Sequence, residues 1–342
     1  MTNPLLFVLL VLLVLGVILL GAVAYLLTLP AGYTVERRIT IQKPREQVFA
    51  YVHDLANWPH WSPWIIHDLQ TQMTYATPNS VSGSYAWASP LIGAGSMTNR
   101  AAQHLERIDF DLRFIKPFKN QADVRFDFMD NSEIKENSPA CTVVWTTAAS
   151  LPLYVRPMRG MLQRMIGNDF ELGLGMLRGR VDPTASYPVI TFAEQPTTLA
   201  SQTLLAREYA GPISGLKDIM AQIYPALWAK VDPSQVAGPS VAAYHKINIK
   251  GMSTVCDIGI PIAAAPAGER VVQLPGGRYY QTTLRGSYEF IGPAWNAAYG
   301  HCRMLKLKED KSRPMLEIYP TSPAESPNPN DWITTLAIPI RG

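Results

Sequence analysis

Cysteine and charge are both scarce in this chain of 342 residues. The three cysteines, Cys141, Cys256 and Cys302, are widely spaced and form no CxxC or zinc-binding pattern, so we interpret them as buried or free thiols. The formal net charge is only +3, and the sequence has no cluster of Lys and Arg, no helix-turn-helix signature and no aromatic nucleotide-binding box. We therefore expect no metal, no cofactor and no nucleic acid partner.

Charge is absent altogether from Leu5 to Leu29, where only Gly16, Gly21, Tyr25 and Thr28 interrupt a run of apolar side chains. A helix rises about 1.5 Å per residue, so this run is long enough to cross a hydrocarbon layer of about 30 Å. The sequence therefore predicts one transmembrane helix over residues 5–29 and a protein that crosses the membrane once.

A cleavable signal peptide is the alternative for this helix, because Ala22-Val23-Ala24 has the small-x-small form of a cleavage site. The residues before the run contain no Lys or Arg, and the run exceeds the roughly 7 to 15 apolar residues of such signals, which favours an uncleaved anchor. Residues 36–46 carry four basic and two acidic side chains. The positive-inside rule then favours a cytoplasmic location for the soluble domains.

Residues 33–182 follow the pattern of a small α+β domain. Tyr33 to Gln42 alternates between apolar and polar side chains, as in a half-buried strand. Pro44 suits the first turn of a helix that ends near Asn57. Strand-like runs separated by turn residues then predict an antiparallel meander, and a helix closes the domain. The runs cover residues 83–89, 97–108, 109–116, 121–129 and 141–149, and the helix covers about 159–180.

Three tryptophans stand within the eight residues of Asn57 to Trp64, NWPHWSPW. One interpretation of Trp58, Trp61 and Trp64 is a wall or lid over an apolar cavity. The other is a proline-stiffened loop that caps an ordinary core.

The order strand, helix, short helix, meander and long helix, with ITIQKPREQVFAYVHDLANWPHWSPW and GNDFELGLGMLRGRV, resembles the polyketide cyclase and START-like superfamily (SRPBCC). The resemblance covers residues 33–182. It implies a helix-grip fold, in which a curved sheet holds the long helix around an apolar cavity where lipids or other hydrophobic molecules often bind. It does not imply one chemistry, because members range from cyclases to transfer proteins.

The chain after the proline-rich segment 182–200 contains an internal repeat. Gly211 and Tyr224 recur as Gly286 and Tyr299, 75 residues later. The strand PSVAAY, Pro239–Tyr244, recurs as PMLEIY at the same offset, with Ala242 in the place of Glu317. Two copies of strand, helix, strand, strand are implied. Each copy is too small to bury its own sheet, so we expect the two to pair about a pseudo-twofold axis with a groove between them.

The repeat, with QLPGGRYYQTTLRGSYEFIGPAW and RPMLEIYP, looks like the GyrI-like effector-binding domain, which also occurs at the C-terminus of multidrug-responsive transcription activators. The resemblance covers residues 201–342. It implies that the glutamate of P-x-x-E-x-Y, Glu317 in this chain, lies in a ligand groove among aromatic side chains. The matching or nearby aromatic residues are Tyr280, Tyr288, Trp295 and Tyr319.

Glu317 is an unusual charge within an apolar strand, and a buried charge is costly unless something compensates it. The compensating group is either a ligand or an arginine in a structural ion pair, for which Arg278, Arg285 and Arg313 are the candidates. Glu317 and Tyr319 would share one side of the strand, because alternate residues face the same way.

The sequence therefore predicts an α+β chain with a transmembrane helix, a START-like domain and a duplicated GyrI-like domain. The predicted function is membrane-tethered binding of hydrophobic small molecules, with cationic ones among the candidates, as a sensor, sequestering or resistance protein. One alternative is a hydrolase of reactive small molecules that uses Glu317 and Tyr319. A second is an inhibitor of a protein partner of the gyrase-inhibitor type. The sequence contains no diagnostic catalytic constellation and specifies no surface for a protein partner.

Overall fold

The computed structural model describes residues 4–117, 119–130, 139–248 and 251–342. The chain starts with helix α1, Pro4–Thr28. The mean hydropathy of its apolar window is 3.2, and none of that window is buried. By length and composition α1 fits a membrane span, and a signal sequence near the N-terminus fits the same criteria. The predicted helix is therefore present, and both interpretations of it stay open.

Seven antiparallel strands form the first sheet. They are β1 Gly32–Ile41, β2 Gln72–Ala76, β3 Ser84–Ser89, β4 Gly93–Gln103, β5 Arg107–Lys116, β6 Asn120–Asp130 and β7 Cys141–Ser150. Their order across the sheet is β1-β7-β6-β5-β4-β3-β2. Strands β2 to β7 therefore form a meander, and β1 pairs with its last strand, β7. Helix α2, Arg45–His53, follows β1, and the long helix α3, Arg159–Val181, follows β7.

The predicted order of these elements is confirmed, with two differences at the level of single strands. The predicted strand over residues 97–108 crosses a turn at residues 104–106, so β4 ends at Gln103 and β5 begins at Arg107. Strand β2 was not predicted, because almost all of its side chains are exposed and it lies at the edge of the sheet. An edge strand without a buried face carries little hydrophobic alternation.

Aromatic side chains fill the space between the first sheet and α3. Trp145 of β7 lies flat on Phe170 of α3, with 4.0 Å between ring centroids and 8° between ring planes. Trp58 and Trp61 pack against each other with 4.4 Å between centroids and are almost completely buried. The sheet therefore grips α3 through a densely packed core.

Nine strands form the second sheet. They are β8 Val189–Phe192, β9 Thr197–Leu199, β10 Gln202–Pro212, β11 Ser240–Asn248, β12 Ser253–Pro261, β13 Val271–Leu274, β14 Gly277–Arg285, β15 Met315–Thr321 and β16 Ile333–Pro339. Helix α4, Leu216–Trp228, follows β10, and helix α5, Ile291–Met304, follows β14. The strand order is β13-β10-β12-β11-β15-β16-β14-β8, with β9 also paired to β14.

This order contains the two predicted copies of strand, helix, strand, strand: β10, α4, β11 and β12, then β14, α5, β15 and β16. The segment 182–200 was interpreted as a boundary, yet it supplies β8 and β9. Both of these short strands pair with β14, the outer strand of the second copy, and so satisfy its free edge.

The two copies meet at β11 and β15. Ala242 pairs directly with Glu317, which occupies the same place in the second copy. Ser240 pairs with Tyr319, and Tyr244 pairs with Met315, so the pairing is the same when it is read from either copy. A pseudo-twofold axis therefore passes through the Ala242–Glu317 pair, and the residue of interest lies at the centre of the duplicated domain.

Candidate functional site

Three hydrogen-bond donors surround the carboxylate of Glu317, which is only 5% exposed. Trp295 of α5 donates its indole N–H to Oε1 at 2.6 Å. Tyr319 donates its hydroxyl to Oε2 at 2.5 Å, which confirms that Glu317 and Tyr319 share one side of β15. Tyr244 of β11 provides a further side-chain hydrogen bond. Both carboxylate oxygens are therefore held in place.

The pseudo-twofold axis explains this arrangement. Tyr244 and Tyr319 occupy equivalent places in the two copies, each two residues beyond the position on the axis. Because side chains two residues apart point to the same face, both tyrosines flank that position. Only one copy supplies a carboxylate there, so two symmetry-related donors converge on one acceptor.

Burial raises the pKa of Glu317 above its ordinary value, and the hydrogen bonds from Trp295, Tyr319 and Tyr244 lower it in part. The pKa values of Tyr319 and Tyr244 are raised well above the ordinary value, first by burial and then by the adjacent Glu317 charge. The phenols therefore stay protonated at neutral pH and act as donors to the carboxylate.

Aromatic rings continue outward from the carboxylate. Tyr319 meets the rings of Tyr224 and Tyr288 edge to face, with centroid distances of 5.9 Å and 5.8 Å. Tyr288 in turn packs on Trp332 at 4.9 Å. The hydroxyl of Tyr224 is buried and has no hydrogen-bond partner among the described residues. The site therefore combines a buried carboxylate, aromatic faces and one unused polar group.

The arginines considered as ion-pair partners are not placed at Glu317. Arg313 bonds Asp310 at 3.0 Å and the carbonyl of Ile340 at 2.9 Å, and it lies over the ring of Tyr279. Within the part of the chain that the structure describes, no salt bridge to Glu317 is formed. The ion-pair interpretation of Glu317 is therefore wrong, because the groups that bond the carboxylate are the neutral donors Trp295, Tyr319 and Tyr244.

Tyr280, one of the predicted groove residues, has a different environment. Its hydroxyl lies 2.9 Å from the carbonyl of Ala193 and 2.8 Å from Nδ1 of His301. The residue is fully buried in a separate core cluster on the outer side of the second copy. The structure brings together Glu317, Tyr319, Tyr288 and Trp295 but does not place the Tyr280 hydroxyl at the carboxylate.

The tryptophans of the first domain lie inside its core. Trp58 donates its N–H to the carbonyl of Val52 at 3.0 Å, and Trp61 packs against Trp145. Trp64 lies at the boundary with the second domain, where its N–H is 3.3 Å from Asp169. A cavity of about 380 Å³ is found elsewhere, at the end of the sheet where α1 joins. It is lined by Gly32, Tyr33, Thr34, Asp123, Ala148, Ala149, Ser150, Arg159 and Gln163.

Asp169 of α3 is a partly buried carboxylate that sequence reasoning did not single out. It accepts a hydrogen bond from Asn296 of α5 at 2.6 Å as well as the bond from Trp64. Burial raises its pKa from 3.8 to about 7. Asn296 directly follows Trp295, so consecutive residues of α5 bond the carboxylates of Asp169 and Glu317. Its partners Trp64 and Asn296 lie 105 and 127 residues away in the sequence, so no local pattern pointed to this carboxylate.

A second group of buried polar residues lies at the same domain boundary. His67 stacks on Phe192 at 4.9 Å and faces His301 at 5.5 Å. Burial lowers the pKa of His67 to about 3, so this imidazole is neutral at physiological pH. His301 is bonded to Tyr280, as described above, and its pKa is also lowered by burial. The two domains are therefore joined by packed aromatic and neutral polar side chains.

The two sheets and their helices form two domains, and each domain matches the model of a family of small-molecule-binding or lipid-binding proteins. Residues 33–182 match the family model of polyketide cyclase / dehydrase and lipid transport proteins. Residues 198–341 match the model of the GyrI-like small molecule binding domain. The chain thus carries a START-like domain followed by a GyrI-like domain, and the second match begins at residue 198 where the sequence predicted 201.

Several solved structures are similar to part of the chain. SAV2435 bound to tetraphenylphosphonium is 16% identical, with 44% of this chain and 94% of that chain covered and a TM-score of 0.36. A protein from Thermobifida fusca is 18% identical, with coverages of 44% and 95% and a TM-score of 0.34. MLL2253 from Mesorhizobium loti is 13% identical, with coverages of 45% and 99% and a TM-score of 0.33. A search of curated proteins finds no match.

Proposed function

We propose that this chain is a membrane-tethered protein that binds hydrophobic small molecules, cations among them, at Glu317 in its GyrI-like domain. In this role it acts as a sensor, a sequestering protein or a resistance protein. The observation that carries the proposal is a buried carboxylate on the pseudo-twofold axis, bonded by Trp295, Tyr319 and Tyr244 and paired with no described cation.

A ligand cation supplies what this environment lacks. A buried carboxylate without a counter-ion has lost its hydration, and neutral donors compensate that loss only in part. A cation that enters the site interacts with the carboxylate where the effective dielectric constant is low. The rings of Tyr224, Tyr288 and Tyr319 add cation-π attraction of about 0.5 to 2 kcal/mol each. The same rings suit the apolar part of a ligand.

Entry to the site requires Trp295 to move. Glu317 is buried, whereas Trp295 is partly exposed and is fixed to it by a single hydrogen bond at 2.6 Å. Displacing the indole exposes Oε1, while Tyr319 and Tyr244 still hold the carboxylate in position. The ligand then exchanges one neutral donor for a positive charge.

Titration of the full-length chain in detergent with tetraphenylphosphonium tests the proposal. This probe is apolar, cationic and free of hydrogen-bond donors, so its binding reports charge and aromatic contact. Glu317→Gln is expected to lose at least tenfold in affinity. Glu208→Gln, which removes an exposed carboxylate from β10 of the same sheet, is the matched control and is expected to bind normally. Equal affinity of the wild type and Glu317→Gln contradicts the proposal.

The pH dependence of binding provides a second measurement. The cation is expected to bind the ionised form of Glu317, whose pKa is raised by burial. Affinity should therefore fall as the pH is lowered through that raised pKa, and it should be constant above it. Binding of a neutral hydrophobic probe to the same site should lack this dependence.

A hydrolase is the second candidate, and the contact between Tyr319 and Glu317 favours it. A carboxylate with a raised pKa that accepts a hydrogen bond from a phenol is suited to general base catalysis. Turnover of an electrophilic ester by the purified chain, lost in both Glu317→Gln and Tyr319→Phe, is the expected result. Turnover that survives both substitutions removes this candidate.

The tether itself is assigned to α1, with the soluble domains on the cytoplasmic side. The support is an apolar helix with no buried residue in its apolar window, together with the excess of basic residues that follows it. Protease added to intact spheroplasts should leave both domains undigested, whereas digestion from outside reverses the assignment.

A further inference from the structure

The short helical segment Leu153–Met158, between β7 and α3, is joined to the end of α1. Arg156 donates from Nη1 to the carbonyl of Leu29 at 3.2 Å and reaches that of Leu26 at 3.4 Å. The last carbonyls of a helix have no partner within the helix, so a cation there satisfies them and complements the helix dipole. Arg156 therefore fixes the first domain at the point where α1 ends.

Large apolar side chains on this segment and on the first turn of α3 are exposed. Tyr154 is 76% exposed, Met158 47% and Met161 41%. Ile115, at the end of β5, is 54% exposed as well. Ile115 lies at the same end of the sheet as the first residues of β1. The end of β5 pairs with the start of β6, the start of β6 pairs with the end of β7, and the end of β7 pairs with the start of β1. Tyr154, Met158 and Met161 thus place three exposed apolar side chains within eight residues next to the end of α1, and exposed apolar surface of this kind is typical of an interaction site.

Basic groups lie among these apolar side chains. Arg159, the first residue of α3, lines the 380 Å³ cavity beside Tyr33 and Gln163. Its buried Nε has no hydrogen-bond partner among the described residues. Lys116, the last residue of β5, and Lys119, which precedes β6, are exposed. Asp123 is the acidic residue in the cavity lining, and Arg100 bonds it at 2.8 Å.

We propose that this proximal face, formed by Tyr154, Met158 and Met161 with Arg159, docks on the surface of an anionic lipid bilayer. Tyr154 and the two methionines enter the headgroup region, and the guanidinium of Arg159, which lines the cavity, binds a lipid phosphate there. The inference rests on the membrane anchor of the proposed function, since α1 brings the bilayer to the level of this face.

Three properties of the face favour lipid over a protein partner. It begins where the apolar helix ends, and Arg156 holds the two together. Tyrosine at the end of a membrane span is typical of the interface between hydrocarbon and water. Exposed Lys and Arg near such an end match the negative surface of anionic lipid. The segment that carries the face is short and fixed at both ends by β7 and α3, so it presents these side chains together.

The test uses the full-length chain in nanodiscs of phosphatidylcholine, alone or mixed with phosphatidylglycerol. A single exposed cysteine is introduced as Tyr154→Cys and labelled with an environment-sensitive fluorophore, because the three native cysteines are buried. Val81→Cys is the matched control. Val81 is 52% exposed in the connection between β2 and β3, at the opposite end of the same sheet.

A label at position 154 is expected to shift its emission to the blue in anionic nanodiscs and to be quenched by brominated lipid chains. A label at position 81 is expected to show neither effect. With Arg159→Gln added, the blue shift of the label at position 154 should differ less between anionic and neutral nanodiscs. About 1 M salt should have the same effect, because the screening length falls to about 3 Å.

The possible outcomes distinguish a failure of the membrane anchor from a failure of the docking of the proximal face. Failure of the intact chain to enter nanodiscs overturns the anchor and the docking with it. Entry into nanodiscs with position 154 as accessible to water as position 81 overturns the docking alone. A blue shift that depends on protein concentration and is not quenched by brominated lipid indicates contact with a second copy and also overturns it.

Discussion

The two copies within the GyrI-like domain share their elements but differ at the axis between them. The first copy has Ala242 there and the second has Glu317, and the two residues are direct partners in the sheet. Like charges placed directly opposite each other in neighbouring strands repel, so one carboxylate is the most that this position tolerates. The duplication therefore supplies a symmetric set of donors, and the loss of symmetry at one residue creates the site.

The largest effect is expected when the difference between the copies is removed by Ala242→Glu. Ala242 is fully buried, so the substitution places a second carboxylate against Glu317 without a counter-ion. We expect a loss of more than about 3 kcal/mol of unfolding free energy at neutral pH, as for uncompensated buried charges. Denaturant unfolding measures it.

Ala242→Gln is the control for this substitution, because it adds nearly the same volume without charge. The difference between the Glu and Gln variants should shrink as the pH is lowered and the carboxyl groups become protonated. Equal destabilisation of the two variants at every pH would show that volume, and not charge, limits this position.

Helices α4 and α5 also differ at the equivalent position that faces Glu317 in the second copy. Trp295 of α5 bonds Glu317, and the equivalent residue of α4 is Met220. Trp295→Phe keeps a ring and removes the N–H, so at neutral pH it should lower the unfolding free energy by about 1.5 to 3 kcal/mol, the range for bonds to charged groups. The loss should diminish at acidic pH, because the bond is strongest to the ionised carboxylate. Met220→Leu, the matched change in the first copy, is expected to have a much smaller effect that does not vary with pH.

The carboxylate of Asp169, which is partly buried, offers a comparison between the domain boundary and the Glu317 site. Its pKa rises from 3.8 to about 7 in the folded chain, so the folded state holds this proton more tightly than the unfolded state. The resulting stability is fully present below about pH 3.8 and is lost as the pH rises to about 7. In Asp169→Asn this loss is absent. The variant should therefore gain on the order of 4 kcal/mol relative to wild type between pH 4 and pH 8, since one pKa unit corresponds to about 1.4 kcal/mol.

Parallel unfolding curves of the wild type and Asp169→Asn over this pH range provide the measurement. Asp182, a buried aspartate of the first domain, pairs with Lys43 at 3.6 Å, and Asp182→Asn is the control. A stability difference between Asp169→Asn and wild type that is independent of pH would mean that Asp169 has an ordinary pKa in the folded protein.

Sequence patterns predicted the architecture better than the contacts within the site. Strand alternation, the repeat and the family motifs led to the fold, because these signals depend on local periodicity and on residue types at fixed spacing. Glu317 and Tyr319 were placed together correctly, since two residues on one strand share a face. The donor Tyr244 was missed, although it occupies the place of Tyr319 in the first copy. Its role follows from the pairing register of β11 and β15, which the sequence does not state.

Residues that lie between domains were the least predictable. Tyr280 was grouped with the groove because it belongs to the same motif, yet it bonds His301 and the segment that links the domains. Asp169 was not singled out, because its partners Trp64 and Asn296 are distant in sequence. Packing between two domains depends on shape and leaves no periodic signal in either of them.

The smallest effect concerns the tyrosines that recur in the two helices, Tyr224 and Tyr299. The hydroxyl of Tyr224 is buried and has no partner in the described part of the chain, whereas that of Tyr299 lies 3.3 Å from Oε1 of Glu309 and contacts the sulfur of Met315. Tyr299→Phe should therefore lower the unfolding free energy by about 1 kcal/mol, while Tyr224→Phe should leave it unchanged or raise it by up to about 1 kcal/mol. Thermal unfolding of the two variants side by side measures this contrast. Equal losses would show that the Tyr224 hydroxyl already has a partner in solution, and the groove would then have no unused donor to offer a ligand.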